Sequence, residues 1–143
     1  MRSVIVVKKK LFGIMSLVLV LSLLAGCGSS SSSNDSGDTI RVGLNYELSG
    51  GVATYGQGLT DGIELAVEEI NKNGGVLGKQ IELVKIDNKS EDTEAANVST
   101  RLATRENVVA LLGPATSGNT KAAIPAAMQN KIPLISGSAT ADD

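Results

Sequence analysis

The sequence predicts an α/β fold: a parallel sheet flanked by helices. Four short β-rich runs, at Thr39–Asn45, Gln80–Ile86, Val108–Leu112 and Pro133–Ile135, alternate with segments whose apolar residues recur at helical spacing. The connections between them are short, which demands parallel strands joined by right-handed crossovers. Loops rich in glycine and small hydroxyl residues follow the first, third and fourth runs, and open α/β sheets bind ligands at those carboxyl ends. A sheet order of 2-1-3-4 sets these loops side by side. They hold Ser49, Ser117 and Thr140.

The chain has 143 residues, room for at most one ordinary domain. Residues 1–26 have the parts of a secretory signal peptide: basic Arg2, Lys8, Lys9 and Lys10, an apolar run from Leu11 to Leu24, and a small-residue end. The run spans about 21 Å as helix, short of a hydrocarbon core of about 30 Å, so it is not expected to remain as a transmembrane anchor. Val4-Ile5-Val6-Val7, ahead of the lysines, leaves the true start open.

Leu24-Ala25-Gly26-Cys27 resembles the lipobox of bacterial lipoproteins, in which the cysteine thiol is joined to diacylglycerol and becomes the first mature residue. Cys27 is the single cysteine of the sequence and there is no histidine, which excludes an internal disulfide and argues against a zinc site. Residues 27–38 then read as a lipidated cysteine and a serine-rich tether. Fully extended, the ten residues from Gly28 to Gly37 reach about 35 Å.

Loss of residues 1–26 lowers the basic count from 13 to 9 against 15 acidic residues, so residues 27–143 carry a net charge of about −6. Nucleic-acid binding needs a basic face and is disfavoured.

The first strand is centred on Ile40, Val42 and Leu44 and ends at Tyr46 or Glu47 before the turn Leu48-Ser49-Gly50-Gly51. Tyr55, one of three aromatic residues, precedes the first helix and is read either as a core aromatic or as part of a site. That helix spans Gly56–Asn73, with Leu59, Ile63, Ala66, Val67 and Ile70 as its buried stripe. Gly74-Gly75-Val76-Leu77-Gly78 follows a helix and precedes a strand, the reverse of a phosphate loop, so it is a return turn. The second strand closes in Asp87-Asn88, read as turn chemistry. Ser90-Glu91-Asp92 opens a second helix that carries Ala95, Val98 and Leu102 and ends near Asn107.

From Val108 the third strand stops at Gly113-Pro114, and a third helix starts at Ser117 and runs to about Gln129, with Pro125 expected to kink or loosen it. The first amides of a helix attract anions. Gly113–Thr120 and the later loop Ser136-Gly137-Ser138-Ala139-Thr140 are therefore read as two halves of a carboxylate cradle, against the plainer reading of two ordinary turns.

Three stretches together resemble the branched-chain amino-acid and amide family of extracytoplasmic solute-binding proteins that serve ABC importers. These are Gly62–Leu83 with its Asn73-Gly74-Gly75-Val76-Leu77-Gly78-Lys79 turn, Leu112-Gly113-Pro114 with Ser117, and Ile132-Pro133-Leu134-Ile135-Ser136 with Ala139-Thr140. The resemblance implies a two-lobed periplasmic-binding-protein type I fold, of which residues 39–143 are part of lobe one. It also implies a monomeric receptor without cofactor, metal or catalysis. Such a receptor captures a small amino acid or amide, delivers it to a membrane permease, and is held outside the cell by lipid on Cys27. The family's carboxylate-binding serine corresponds to Ser117. Its cradle threonine corresponds to Thr140, with backbone groups from Ser138 and Ala139, and Tyr55 falls where relatives place an aromatic wall. Position 138 is often glycine in relatives, so a serine there is expected to narrow or re-aim the pocket.

Family members have about two domains' worth of chain, so a truncated frame or a fragment is the expectation. Two other functions fit the same residues: an extracytoplasmic sensor domain, and a non-functional remnant. A hydrolase does not, because Gly113-Pro114-Ala115-Thr116-Ser117 lacks the nucleophile elbow and histidine is absent.

Overall fold

The computed structural model describes residues 39–142; the expected signal peptide, Cys27 and the tether lie outside them. The elements in chain order are β1 (Thr39–Tyr46), α1 (Ala53–Lys72), β2 (Gln80–Asp87), α2 (Asp92–Thr104), β3 (Ala110–Leu112), α3 (Ser117–Asn130) and β4 (Leu134–Ile135). All strand pairs are parallel, in the order β2-β1-β3-β4. β1 pairs with β2 from Thr39↔Gln80 to Tyr46↔Asp87 and with β3 through Val42, Gly43 and Leu44.

Side chains alternate across a strand, so β1 serves two cores. Leu44 and Tyr46 meet Ala115, together with Leu59 and Ile63 of α1. On the other face Val98 and Leu102 of α2 meet Val108, Leu111 and Ala127. Leu44, Leu102 and Leu111 are fully buried, each worth about 1.5–3 kcal/mol. α2 lies close against β1 because residue 43 is glycine: a Cβ there would stand 2.8 Å from Leu111 Cδ2 and 3.1 Å from Leu102 Cδ1.

One buried polar cluster runs through the second core. Asn45 Nδ2 donates to the Ala95 carbonyl at 2.8 Å and to Ser99 Oγ at 2.9 Å, while Asn45 Oδ1 accepts from Asn88 Nδ2 at 3.0 Å. Among the described residues no buried side-chain polar atom lacks a partner. The cluster ties the end of β1 to the end of β2 and to α2.

The structure corrects several details. The α1 stripe is only half-buried at Leu59, Ile63 and Val67, while Ala66 and Ile70 are exposed. The helix rests on the sheet mainly through its first turns, where Gly56 and Thr60 are buried. β3 and β4 are shorter than the apolar runs that contain them. As expected, Pro125 lies inside α3, which runs from Ser117 to Asn130. Lys121, whose carbonyl loses its helical donor, is itself exposed, as is Pro125. The glycine turn is a compact return, with the Gly75 amide donating to the Ile70 carbonyl at 2.9 Å and Val76 bridged to Lys79.

Candidate functional site

After Leu112 the chain turns through Gly113 at φ +94° and a cis Gly113–Pro114 peptide. A Cβ on Gly113 would lie 2.3 Å from the Asn45 carbonyl oxygen, so the loop crosses directly over the end of β1. Thr116 then takes the N-cap position of α3, in an extended conformation and without a side-chain cap bond.

The loop after β4 is stitched to this one by hydroxyls. Ser136 Oγ donates to the Pro114 carbonyl at 2.6 Å and accepts from the Ala139 amide at 3.1 Å. Ser138 Oγ donates to the Ala115 carbonyl at 2.6 Å. Ser117 Oγ accepts from the Thr140 and Ala141 amides, both at 3.2 Å. Four of the sequence-predicted residues, Ser117, Ser138, Ala139 and Thr140, therefore meet at one rim. The Ser138 hydroxyl spans the two loops.

Tyr55 is not bonded to that rim. It sits in the first turn of α1, 64% exposed, and the buried aromatic on that side is Tyr46. Residues four apart share a helix face, and Leu59 Cδ2 lies 3.4 Å from where a Gly137 Cβ would be. Tyr55 is thus on the α1 face that reaches the β4 loop. Ser49 turns elsewhere: its hydroxyl donates to Asp87 Oδ2 at 2.6 Å. Asp87 Oδ1 accepts the amides of Leu48 at 3.0 Å, Ser49 at 3.2 Å and Lys89 at 2.7 Å, the turn chemistry expected of it. Burial raises the Asp87 pKa, but bonds from Ser49, Lys89 and Leu48 outweigh it and hold the carboxyl below its usual range.

The residue that sequence reasoning missed is Glu47. It follows β1 directly, is fully buried, and places its carboxylate under the β3–α3 loop. Oε2 accepts the Ala115 amide at 2.9 Å, and Oε1 accepts the Thr116 amide at 3.1 Å, the Thr116 hydroxyl at 2.9 Å and Asn119 Nδ2 at 2.9 Å. Burial pushes its pKa up, and the hydrogen bonds from Ala115 and Thr116 more than reverse that, holding it below the ordinary glutamate range. Burial, and then the Glu47 charge, raise the neighbouring Tyr46. An anion does sit at the start of α3, and it belongs to the chain itself.

Beside the rim lies a cavity of about 110 Å³ lined by Ser117, Thr120, Lys121, Ile124, Ala139 and Ala141. Ligand pockets typically measure about 300–1,000 Å³, so this cavity is too small to enclose a ligand of that size by itself. Among the described residues no group of side chains could hold a metal ion.

A parallel sheet in the order 2-1-3-4, helices on both faces and a polar rim at the strand ends make up one lobe of a type I periplasmic binding protein. A family model described as "Periplasmic binding protein" matches residues 39–143, and the chain belongs to that family. Among curated relatives, it is 36% identical over 124 residues to Leu/Ile/Val-binding protein homolog 7 of Brucella suis, covering 87% of this chain and 29% of that one. It is 31% identical over 123 residues to the Leu/Ile/Val-binding protein of Escherichia coli, covering 85% and 33%. Among solved structures, the branched-chain amino acid transporter substrate binding protein LivJ of Streptococcus pneumoniae, in complex with isoleucine, matches with 55% identity and a TM-score of 0.72, covering 73% of this chain and 30% of that one. The leucine binding protein LivK of Thermotoga maritima matches with 32% identity and a TM-score of 0.66, covering 71% and 28%. The chain spans a third or less of the length of these relatives.

Proposed function

We propose that this chain provides one ligand-facing wall of a solute receptor for an ABC importer, and that the solute is a branched-chain amino acid or a related amide. The reading rests above all on the rim, where Ser117 Oγ meets the Thr140 and Ala141 amides at the ends of β3 and β4. A hydroxyl in that position donates its proton to a carboxylate, and a charge-assisted bond of this kind is about twice as strong as a neutral one. The relatives named for leucine, isoleucine and valine support the solute class. Ser117 and Thr140 carry the carboxylate, Ser138 and Ala139 shape the loop that presents it, and Tyr55 covers the side chain. The work done is capture and delivery to a permease, with no bond made or broken.

The receptor acts outside the cytoplasm, and in this reading lipid on Cys27 holds it at the membrane, with residues 28–38 as the tether. A single wall binds weakly, because the groups that enclose a ligand elsewhere are not in it. The expected affinity of the 143-residue chain for isoleucine is about 1 mM or weaker, near −4 kcal/mol.

The test is an isoleucine titration followed by backbone-amide NMR. Signals of Ser117, Ala139, Thr140 and Ala141 are expected to shift and those of β2 to stay. Ser117→Ala is expected to weaken binding by about 1–3 kcal/mol, or about 5- to 150-fold. Unchanged affinity removes Ser117 from the site.

A further inference from the structure

Glu47 has no counterpart in the binding scheme above. It is a fully buried carboxylate, and none of the ion pairs among the described residues includes it. A buried charge persists only when donors replace water, and here the donors from elsewhere in the chain come from one short stretch: the Ala115 amide, the Thr116 amide and hydroxyl, and Asn119 Nδ2. Thr116 is the N-cap residue, yet its hydroxyl serves Glu47 instead of capping α3. Glu47 itself is immobilised from below. A Cβ on Gly56 would come 2.1 Å from the Glu47 carbonyl oxygen and 2.8 Å from its nitrogen, so α1 presses on the Glu47 backbone.

We propose that Glu47 is the positioning residue of the rim: by gathering the Ala115, Thr116 and Asn119 donors, it fixes the direction in which Ser117 presents its hydroxyl. Ser117 follows Thr116 immediately, and its Oγ holds the Thr140 and Ala141 amides at 3.2 Å. Of the three hydroxyls that hold the β4 loop, those of Ser117, Ser136 and Ser138, Ser117 is the one whose direction is set by a carboxylate that does not itself bond to that loop. The same arrangement limits what the solute can use. Two amides just before α3 are already taken, so a solute carboxylate is left with the Ser117 hydroxyl and the groups of the β4 loop. This inference rests on the receptor reading for its ligand and stands apart from it for its geometry.

Glu47→Gln separates the two. Glutamine keeps the shape, and its carbonyl oxygen can serve the three donors at Oε1. Its NH₂ then faces the Ala115 amide, donor against donor. Hydrogen exchange on the 143-residue chain is expected to quicken by at least about 10-fold at the Thr140 and Ala141 amides, within the range of couplings through shared partners. The Ile81 amide, held by Asn71 Oδ1 at 2.7 Å and remote from Glu47, is the reference that a general loss of stability would also move. Faster exchange at Thr140 and Ala141 with Ile81 unchanged supports the proposal; unchanged exchange at all three, or equal quickening of all three, overturns it. If Glu47→Gln does not fold, Thr116→Ala removes one donor to Oε1 and buries no new polar group, and about 3-fold faster exchange at the same two amides is expected. No change there also overturns it. Isoleucine that fails to shift the wild-type rim tells against the receptor reading and leaves the Glu47 result to be read from exchange alone.

Discussion

Glu47 and Asp87 also link the stability of the chain to pH. Both carboxyls are held below their ordinary values by hydrogen bonds made only in the folded state. Unfolded, they titrate near about 4.3 and 3.9. A folded pKa below the unfolded one means that the unfolded chain binds protons first, so the stabilisation is complete above about pH 5 and fades as pH falls through the unfolded values towards the folded ones. Thermal melts at pH 6 and pH 3 are expected to show a clear loss at the lower pH. Glu47→Gln should melt lower than wild type at pH 6 and lose less between the two, because one of the two responsible groups is gone. Equal melting of wild type at both pH values contradicts this. Glu47 illustrates what a sequence withholds at this scale, since its donors lie 68 to 72 positions away and no local pattern links them to it. The signal available was a carboxylate set between Tyr46 and Leu48 at the end of an apolar strand. That Ser117, Ser138 and Thr140 share one edge was legible because each closely follows the carboxyl end of a strand, and a parallel sheet brings such segments to one edge; their part in binding is the proposal.

At the scale of elements, periodicity and short connections sufficed for parallel strands with right-handed crossovers, which leave few arrangements; the order 2-1-3-4, taken because it sets the three loops side by side, is the one observed. The α1 stripe was overdrawn. Its spacing marks a helix face but not how much of that face the sheet covers, and Ala66 and, at 39%, Ile70 are exposed. β3 and β4 came out shorter because a strand needs a paired neighbour as well as a β-rich composition, and β4 pairs with β3 alone through Leu134 and Ile135. The uneven seating of α1 gives a paired prediction. Gly56→Ala places a methyl against the Glu47 backbone and is expected to destabilise the fold by about 1–3 kcal/mol or more. Gly62→Ala, where nothing lies within 4 Å of an added Cβ, is expected to stabilise it by about 0.5–1 kcal/mol through helix propensity. Urea denaturation of the two variants checks both signs, and a neutral Gly56→Ala contradicts the contact.

At the scale of the molecule, the described residues match one lobe of the type I fold, and in the proposed function they supply one wall of the site. Under that proposal, relatives of which this chain spans a third or less fit a receptor that encloses its solute between lobes. Closure of two walls on one ligand is how such proteins convert binding energy into a recognisable state. In the proposed function, residues 28–38 as a tether and the lipid on Cys27 set where that happens. Cys27→Ser is expected to move the protein from the membrane fraction to the soluble fraction, and persistence in the membrane fraction would make the apolar segment Leu11–Leu24 the anchor.

The central claim is that the rim formed by Ser117 and the β4 loop receives a carboxylate. It is tested most directly by comparing L-isoleucine with 2-methylbutylamine, the same molecule without its carboxylate, through the amide signals of Ser117, Ala139, Thr140 and Ala141. Shifts at these four amides with isoleucine and none with the amine are predicted; equal shifts with both, or none with either, would contradict the account.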